Sequence, residues 1–456
     1  MHWILAIIIL GLLIFFHELG HFILAKLNGV TVEEFSIGFG PRLVSFVSHG
    51  TRYSLKVLPF GGSCMMTGMY GDDEEEDEDQ EPSDETASFI SDDEEPYRPS
   101  YARGSFLRAT PGQRAAIVAA GPVFSFLLAF IAAIIIMSGV GYDPPDVIYV
   151  SEGSEAEAAG LRPGDRVTSF NGHDIVIGRD VSAEFIFNEP VPGEEIRLTV
   201  KRDGQKEEIR FTPEKKEAYR MGISYVPGEE AAVISAVTMG SPIAKAGVEA
   251  GDVIVGINGQ DIATAAELGA YFEEHPMDGG DMTIRYLRNG REKSVTVKPV
   301  VTPYINIGFS VNLGREKIGS LDVIKYSFYE VGYWIRTTFQ SLGMFFKGIL
   351  TVNDLSGPVG IANVVGDAYE EAKDEGVFMT LMNLLNLVIL LSANLGVMNL
   401  LPIPAVDGGR LLFIIIEALR GKPLRRGVEN VIQFIAAVFL ILLMFYVLYH
   451  DIMKMF

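Results

Sequence analysis

Only one of the 456 residues is cysteine, Cys64, so no intrachain disulfide can form. No base stands near Cys64 in the sequence to activate its thiol, and an inert side chain is expected. Tryptophan occurs twice and histidine seven times, so histidines close together carry information. Positive charge is also scarce. The 37 Lys and Arg against 59 Asp and Glu give a net charge of −22, which argues against nucleic acid as a partner. Fifteen of the acids sit in one tract, residues 72–95, leaving −7 for the rest of the chain. That tract has too few large apolar residues to fold alone. A solvated, disordered insert is expected, with a cation-binding or regulatory role as the alternative.

Hydrophobic residues make up 48% of the chain and gather in blocks near its two ends. Residues 1–27, 115–142, 376–406 and 430–449 are each long enough to cross about 30 Å of hydrocarbon as a helix of about 20 residues. The first block lacks the basic start and small-residue cleavage site of a signal peptide, and it carries His17, Glu18 and His21. It is therefore expected to stay as a spanning helix. Lys26, Arg42, Arg52, Lys56, Arg98, Arg103, Arg108 and Arg114 lie between the first two blocks. Arg410, Arg420, Lys422, Arg425 and Arg426 lie between the last two. Both segments are expected on the cytoplasmic side, and both termini and residues 143 to about 355 outside.

The outward block repeats itself. Ala159-Gly160-Leu161-Arg162-Pro163-Gly164-Asp165 matches Ala246-Gly247-Val248-Glu249-Ala250-Gly251-Asp252. Each copy continues to an Asn-Gly pair, Asn171-Gly172 or Asn258-Gly259. Each then shows two alternating strands joined by Asp203-Gly204 or Asn289-Gly290. The pattern resembles tandem PDZ domains, with two ligand-free β-rich modules as the plainer reading. Between the first two spans, Phe35 to Val47 and Tyr53 to Leu58 around His49-Gly50 predict a β-hairpin. Strands so close to a spanning helix must be covered by protein or line a cavity. Residues 322–350 are aromatic-rich and read as an amphipathic surface helix or as ordinary packing.

His17-Glu18-Leu19-Gly20-His21 is an HExxH pattern. On a helix, positions i and i+4 share a face, so both imidazoles can reach one zinc ion, and Glu18 stands where it can take a proton from the attacking water. Three ionisable residues on one turn of an otherwise apolar span are costly unless compensated, and a metal compensates them. A polar helix–helix contact is the bland alternative. Zinc needs a third protein ligand. Asp407 is the only acidic residue between Glu375 and Glu417, and it follows Pro402 and Pro404, which end a span. Gly408-Gly409 is expected to let another helix approach. Asp407 could also cap the helix that begins there.

The HExxH pattern together with Asn399-x-x-Pro402-x-Pro404-x-x-Asp407-Gly408 resembles the site-2 protease family of intramembrane zinc metalloproteases. Phe39-Gly40-Pro41, Pro59-Phe60-Gly61-Gly62, the tandem repeat and Leu355-Ser356-Gly357-Pro358-Val359-Gly360 resemble its bacterial RseP-type branch. The resemblance implies one Zn2+ per chain on His17, His21 and Asp407, with Glu18 catalytic and Asn394 and Asn399 holding substrate backbone. Helix–helix packing is the other role open to Asn394. The hairpin would pair with an unwound substrate, and the exported PDZ-like pair would filter substrates already trimmed outside. Partners would be single-span membrane proteins such as anti-sigma factors or remnant signal peptides, the lipid bilayer and peptide ligands of the PDZ-like domains. The location would be a bacterial cell membrane. The acidic tract and Arg410, where such proteins often carry histidine, depart from the pattern.

The expected fold is a polytopic α-helical membrane protein with four transmembrane helices, a membrane-associated β-hairpin and two exported α+β PDZ-like domains. Its divisions are 1–27, 28–71, 72–110, 111–142, 143–228, 229–312, 313–375, 376–406, 407–429 and 430–456. Two rival functions are a non-enzymatic scaffold with a vestigial HExxH and a metal transporter. Intact Glu18 weighs against the first, and the absence of ionisable residues in the second and fourth spans weighs against the other.

Overall fold

The computed structural model describes residues 2–69, 104–188, 190–191, 193–225, 228, 230–238, 240–288, 290–350, 352, 355–422 and 426–453. The acidic tract, Arg98, Arg103, Asn289 and Arg425 lie outside the described residues. The chain divides into a helical unit, residues 2–144 with 314–453, and a β-rich unit, residues 145–313.

The helical unit opens with α1 (His2–Leu27), then β1 (Val32–Ser48), β2 (Thr51–Met66) and α2 (Pro111–Gly139). β1 and β2 form more than a hairpin. Residues 42–48 pair with 51–56 as expected, but residues 34–39 pair with 52–58 on one side, and residues 32–37 pair with 62–66 on the other. Both long strands therefore bend, and four segments line up in the order 62–66, 32–39, 51–58, 42–48, the two outer pairings antiparallel and the central one, Glu34–Arg52 to Phe39–Leu58, running in the same direction. Residues 62–66 form an edge with one strand neighbour. Buried Glu34 ties three segments together. Its carboxylate accepts from Arg42 Nε at 2.9 Å and Ser54 Oγ at 2.5 Å, and Lys56 Nζ lies 3.4 Å away. α2 starts on a capping box: Thr110 Oγ1 accepts from Gln113 N–H, and the Gln113 side chain accepts from Thr110 N–H.

The β-rich unit runs β3 (Val147–Val150), α3 (Glu155–Ala158), β4 (Arg166–Phe170), β5 (His173–Asp174), α4 (Gly178–Phe187), β6 (Ile196–Arg202), β7 (Gln205–Phe211) and β8 (Glu214–Arg220). It continues with β9 (Ile223–Tyr225), β10 (Ala232–Val237), α5 (Pro242–Lys245), β11 (Val253–Ile257), β12 (Gln260–Asp261), α6 (Ala265–Glu274), β13 (Met282–Arg288), β14 (Arg291–Val297), β15 (Val300–Asn306) and β16 (Phe309–Val311). Two cores stand apart. Val147, Leu161, Phe170, Leu198 and Phe309 belong to one; Met221, Ile234, Ile254, Leu268 and Ile284 belong to the other.

The two copies are not sequential blocks. β9 falls within the expected 143–228 yet pairs with β10 of the second copy, and β16 falls within 229–312 yet pairs with β3 of the first. The second copy is thus inserted before the last strand of the first. The connecting strands β8 and β15 pair along their length, from Val300–Arg220 to Asn306–Glu214. Three-residue strands carry no repeat signature, so the sequence could not place them.

The repeated motif itself is structural. Asp165 is 1% and Asp252 2% exposed. Arg202 donates to both Asp165 oxygens at 2.6 Å and to Gly160 O at 2.8 Å. Arg288 treats Asp252 and Gly247 O the same way, at 2.7, 2.6 and 2.8 Å. Asn171 and Asn258 adopt positive φ at tight turns, and each Oδ1 accepts from the neighbouring strand, from Arg197 N and Thr283 N at 2.8 Å.

The chain then returns to the helical unit as α7 (Ser320–Phe346), α8 (Pro358–Ala372), α9 (Val377–Leu400), α10 (Asp407–Arg420) and α11 (Arg426–Met453). Among the described residues four helices, α1, α2, α9 and α11, are long and apolar enough to cross a membrane. α7 packs one face, with Val331, Trp334 and Ile335, into the core formed by α1, α2 and α9. Of the two roles open to it, packing is therefore one it fills. α9 ends at Leu400, short of the expected 406, because Pro402 and Pro404 cannot continue its hydrogen bonds. The segment after it is helical: α10 takes up most of residues 407–429.

Candidate metal centre

α1 and α2 approach very closely at His17–His21. A Cβ at Gly20 would sit 2.3 Å from Ala120 O, and a Cβ at Gly121 would sit 2.2 Å from His21 Nε2. Small residues where two spanning helices touch permit such contact. Ile117, Gly121 and Ser125 recur at i+4 and form one stripe of α2 facing the histidines. His21 Nδ1 donates to Ile117 O at 2.9 Å, and His17 Nδ1 lies 3.1 Å from Ser125 Oγ. These bonds occupy both Nδ1 atoms and leave both Nε2 atoms directed at a common point.

Asp407 reaches that point from the far end of the chain. Ala405 holds φ +78°, a left-handed conformation costing a non-glycine residue about 1–2 kcal/mol. The resulting turn swings the first residue of α10 back toward α1. Gly408 and Gly409 serve this turn rather than another helix: Cβ atoms there would lie 2.1 Å from Leu401 O and 2.3 Å from Ile403 O. Asp407 is also not the helix cap. Val406 occupies that position without a side-chain bond, and the carboxylate turns to the histidines.

Asp407 Oδ2 lies 3.0 Å from His17 Nε2 and 3.3 Å from His21 Nε2, and the two nitrogens are 3.4 Å apart. Donor atoms about 2.0–2.1 Å from a tetrahedral zinc stand about 3.3 Å from one another, so the three fit that ion. They are the metal-competent cluster found among the described residues. Glu18 is half-buried on the same turn. The sheet edge passes over it: a Cβ at Gly62 would lie 2.9 Å from Glu18 Cγ, and the Cys64 backbone is within hydrogen-bonding reach of the carboxylate. Burial and the Glu18 carboxylate push the Cys64 thiol well above its ordinary range, so it holds its proton.

Asn394 Oδ1 accepts from the Thr338 hydroxyl of α7, and half-buried Asn399 sits one residue before the end of α9. Neither is drawn into the His–His–Asp cluster. Ser125 and Gly121 were missed by the sequence reading, although a serine and a glycine at i+4 in a charge-free span carried the signal. Arg114 was counted only for orientation, yet it forms a buried ion pair with Glu417, Nη2 to Oε1 at 2.5 Å.

Spanning helices enclosing a His–His–Asp cluster with an adjacent glutamate define a membrane metallohydrolase site. Residues 5–443 match the profile of Peptidase family M50. The chain is 30% identical over 505 residues to zinc metalloprotease RasP of Geobacillus kaustophilus, covering 99% of this chain and 97% of that protein. It is 31% identical over 477 residues to the regulator of sigma-E protease RseP of Salmonella typhimurium, with 98% of each covered. A crystal structure of the HtrA3 PDZ domain matches 20% of this chain and 91% of that one, with 19% identity and a TM-score of 0.17. The chain belongs to peptidase family M50 and is a zinc metalloprotease of the site-2 protease type.

Proposed function

We propose that one Zn2+ per chain is held by His17 Nε2, His21 Nε2 and Asp407 Oδ2, and that the enzyme uses it to hydrolyse peptide bonds inside transmembrane segments of single-span membrane proteins. The observation carrying this reading is the 3.0–3.4 Å triangle of donor atoms, drawn from residues 390 apart in sequence. Zinc bound there would polarise the scissile carbonyl and acidify the attacking water.

The chain's own residues do the rest. Glu18 takes the proton of the attacking water and passes it to the leaving amine. Ser125 and the Ile117 carbonyl hold the rings so that Nε2 stays the donor atom. A substrate helix hides its amides in internal hydrogen bonds and must unwind before it can be cut. The edge at residues 62–66 offers replacement backbone partners beside Glu18. The Asn394 oxygen is engaged by Thr338, which leaves its amide N–H groups to donate to substrate backbone, with Asn399 as a second donor.

We infer that the enzyme's substrates include anti-sigma factors or remnant signal peptides, a reading supported by relatives named regulator of sigma-E protease and regulator of sigma-W protease. The two β-rich modules would act outside the cell membrane, as PDZ-like filters or peptide sites for substrates already trimmed there. The acidic tract would lie in the cytoplasm. The test compares wild type with Glu18→Gln on a model single-span substrate. Wild type should cut within the span and be stopped by a chelator, and Glu18→Gln should bind zinc without cutting. Full cleavage by Glu18→Gln would remove the proposed base.

A further inference from the structure

The ion pair between Arg114 and Glu417 has no local reason to exist. Arg114 stands near the N-terminus of α2, where the helix dipole disfavours a cation, and Glu417 stands in the last turn of α10, where it disfavours an anion. The side chains are only 10% and 18% exposed. Ionisable groups so placed in a membrane protein are expensive and call for a tertiary purpose.

Their position supplies one. On α2, Arg114 lies one turn before Ile117, on the stripe that continues through Gly121 to Ser125. On α10, Asp407, Ile414 and Glu417 follow at i+7 and i+10 and share a face. Ile414 joins Ile117 and Val118 in one core cluster. The two stripes therefore meet antiparallel: histidine-facing Gly121 opposite the Asp407 end, Ile117 and Val118 against Ile414, and Arg114 against Glu417.

We propose that Arg114 and Glu417 are positioning residues that fix the roll of α10 about its axis and so hold the Asp407 carboxylate over His17 and His21. The proposal rests on the metal site described above. Apolar contact through Ile414 is non-directional and leaves roll poorly defined. A side-chain tip stands about 5–6 Å from a helix axis, so a roll of about 10° moves it by about 1 Å. The ion pair opposes such a roll through a directed bond. Beside it, a cavity of about 410 Å³ is lined by Arg114, Arg410, Glu417, Glu429, Asn430 and Gln433. Arg114 Nε is buried without a hydrogen-bond partner, so the directed bond from Nη2 to Glu417 is the contact that orients this guanidinium.

The test measures zinc affinity of the purified full chain by competition with a chelator, with thermal stability recorded alongside. Glu417→Gln and Arg114→Gln should each weaken zinc binding on the order of tenfold or more. The exchanged pair, Arg114→Glu with Glu417→Arg, should recover most of that loss. Asp451→Ala removes another buried carboxylate contact of the helical unit, Asp451 Oδ2 accepting from Gly360 N–H, and should leave affinity unchanged. Asp407→Ala should abolish zinc binding. Wild-type affinity in both single variants, no recovery in a folded exchanged pair, or an equal loss in Asp451→Ala would each overturn the positioning role. Retained zinc in Asp407→Ala would instead overturn the metal site itself.

Discussion

Gly121→Ala isolates the contact between α2 and the metal-binding face of α1. The added methyl would lie 2.2 Å from His21 Nε2, 2.6 Å from His21 Cε1 and 2.8 Å from His17 Cε1. Carbon makes ordinary contact at about 3.5 Å, so the rings must retreat by about 1 Å, or α2 must withdraw from α1. Either movement strains the bonds to Ile117 O and Ser125. A misplacement of about 1 Å costs about 100-fold in catalysis. Global stability should respond far less. Alanine favours a helix interior over glycine by about 1 kcal/mol, which offsets part of an overpacking cost of about 1–3 kcal/mol. Zinc affinity by chelator competition and cleavage of a single-span substrate should therefore fall together by about 100-fold, with the zinc-free thermal midpoint shifting little. A Gly121→Ala enzyme with wild-type affinity and cleavage would refute the placement of these rings against α2.

Ser125→Ala should lower zinc affinity by about tenfold through loss of ring orientation, and unchanged affinity would show that His17 needs no such support. Burial raises the Glu34 carboxyl, but bonds from Arg42 and Ser54 and the nearby Lys56 ammonium outweigh it and hold its pKa at about 2, below the ordinary 4.5. A lowered native value stabilises above the unfolded value and is lost as pH falls through the native one, so the sheet of residues 32–66 should loosen between about pH 4.5 and 2. Hydrogen exchange at residues 32–37 would show this, and the same acid profile in Glu34→Gln would sink it. Arg202→Ala should strand the buried Asp165 carboxylate at a cost of about 3–5 kcal/mol, and Arg288→Ala should do the same at Asp252. Faster exchange confined to β4 and β6 in the first variant, and to β11 and β13 in the second, is the expected result. Uniform protection would show that the repeated motif does not clamp its strands.

The sequence determined the apolar spans, the HExxH face and the repeated Asp and Asn-Gly positions, because each depends on local periodicity or on short-range backbone preference. It also singled out Asp407, since an acid after two prolines at the end of a span is rare enough to stand out. What joined Asp407 to His17 and His21 across 390 positions was tertiary: the left-handed Ala405 turn, the glycine contact between α1 and α2, and the packing of α10 on α2. The bending of β1 and β2 into four paired segments and the insertion of one β-rich module into the other were also settled only in three dimensions. Strand register and strand partner depend on which backbone comes alongside, and short strands carry no mark of that partner in their own residues.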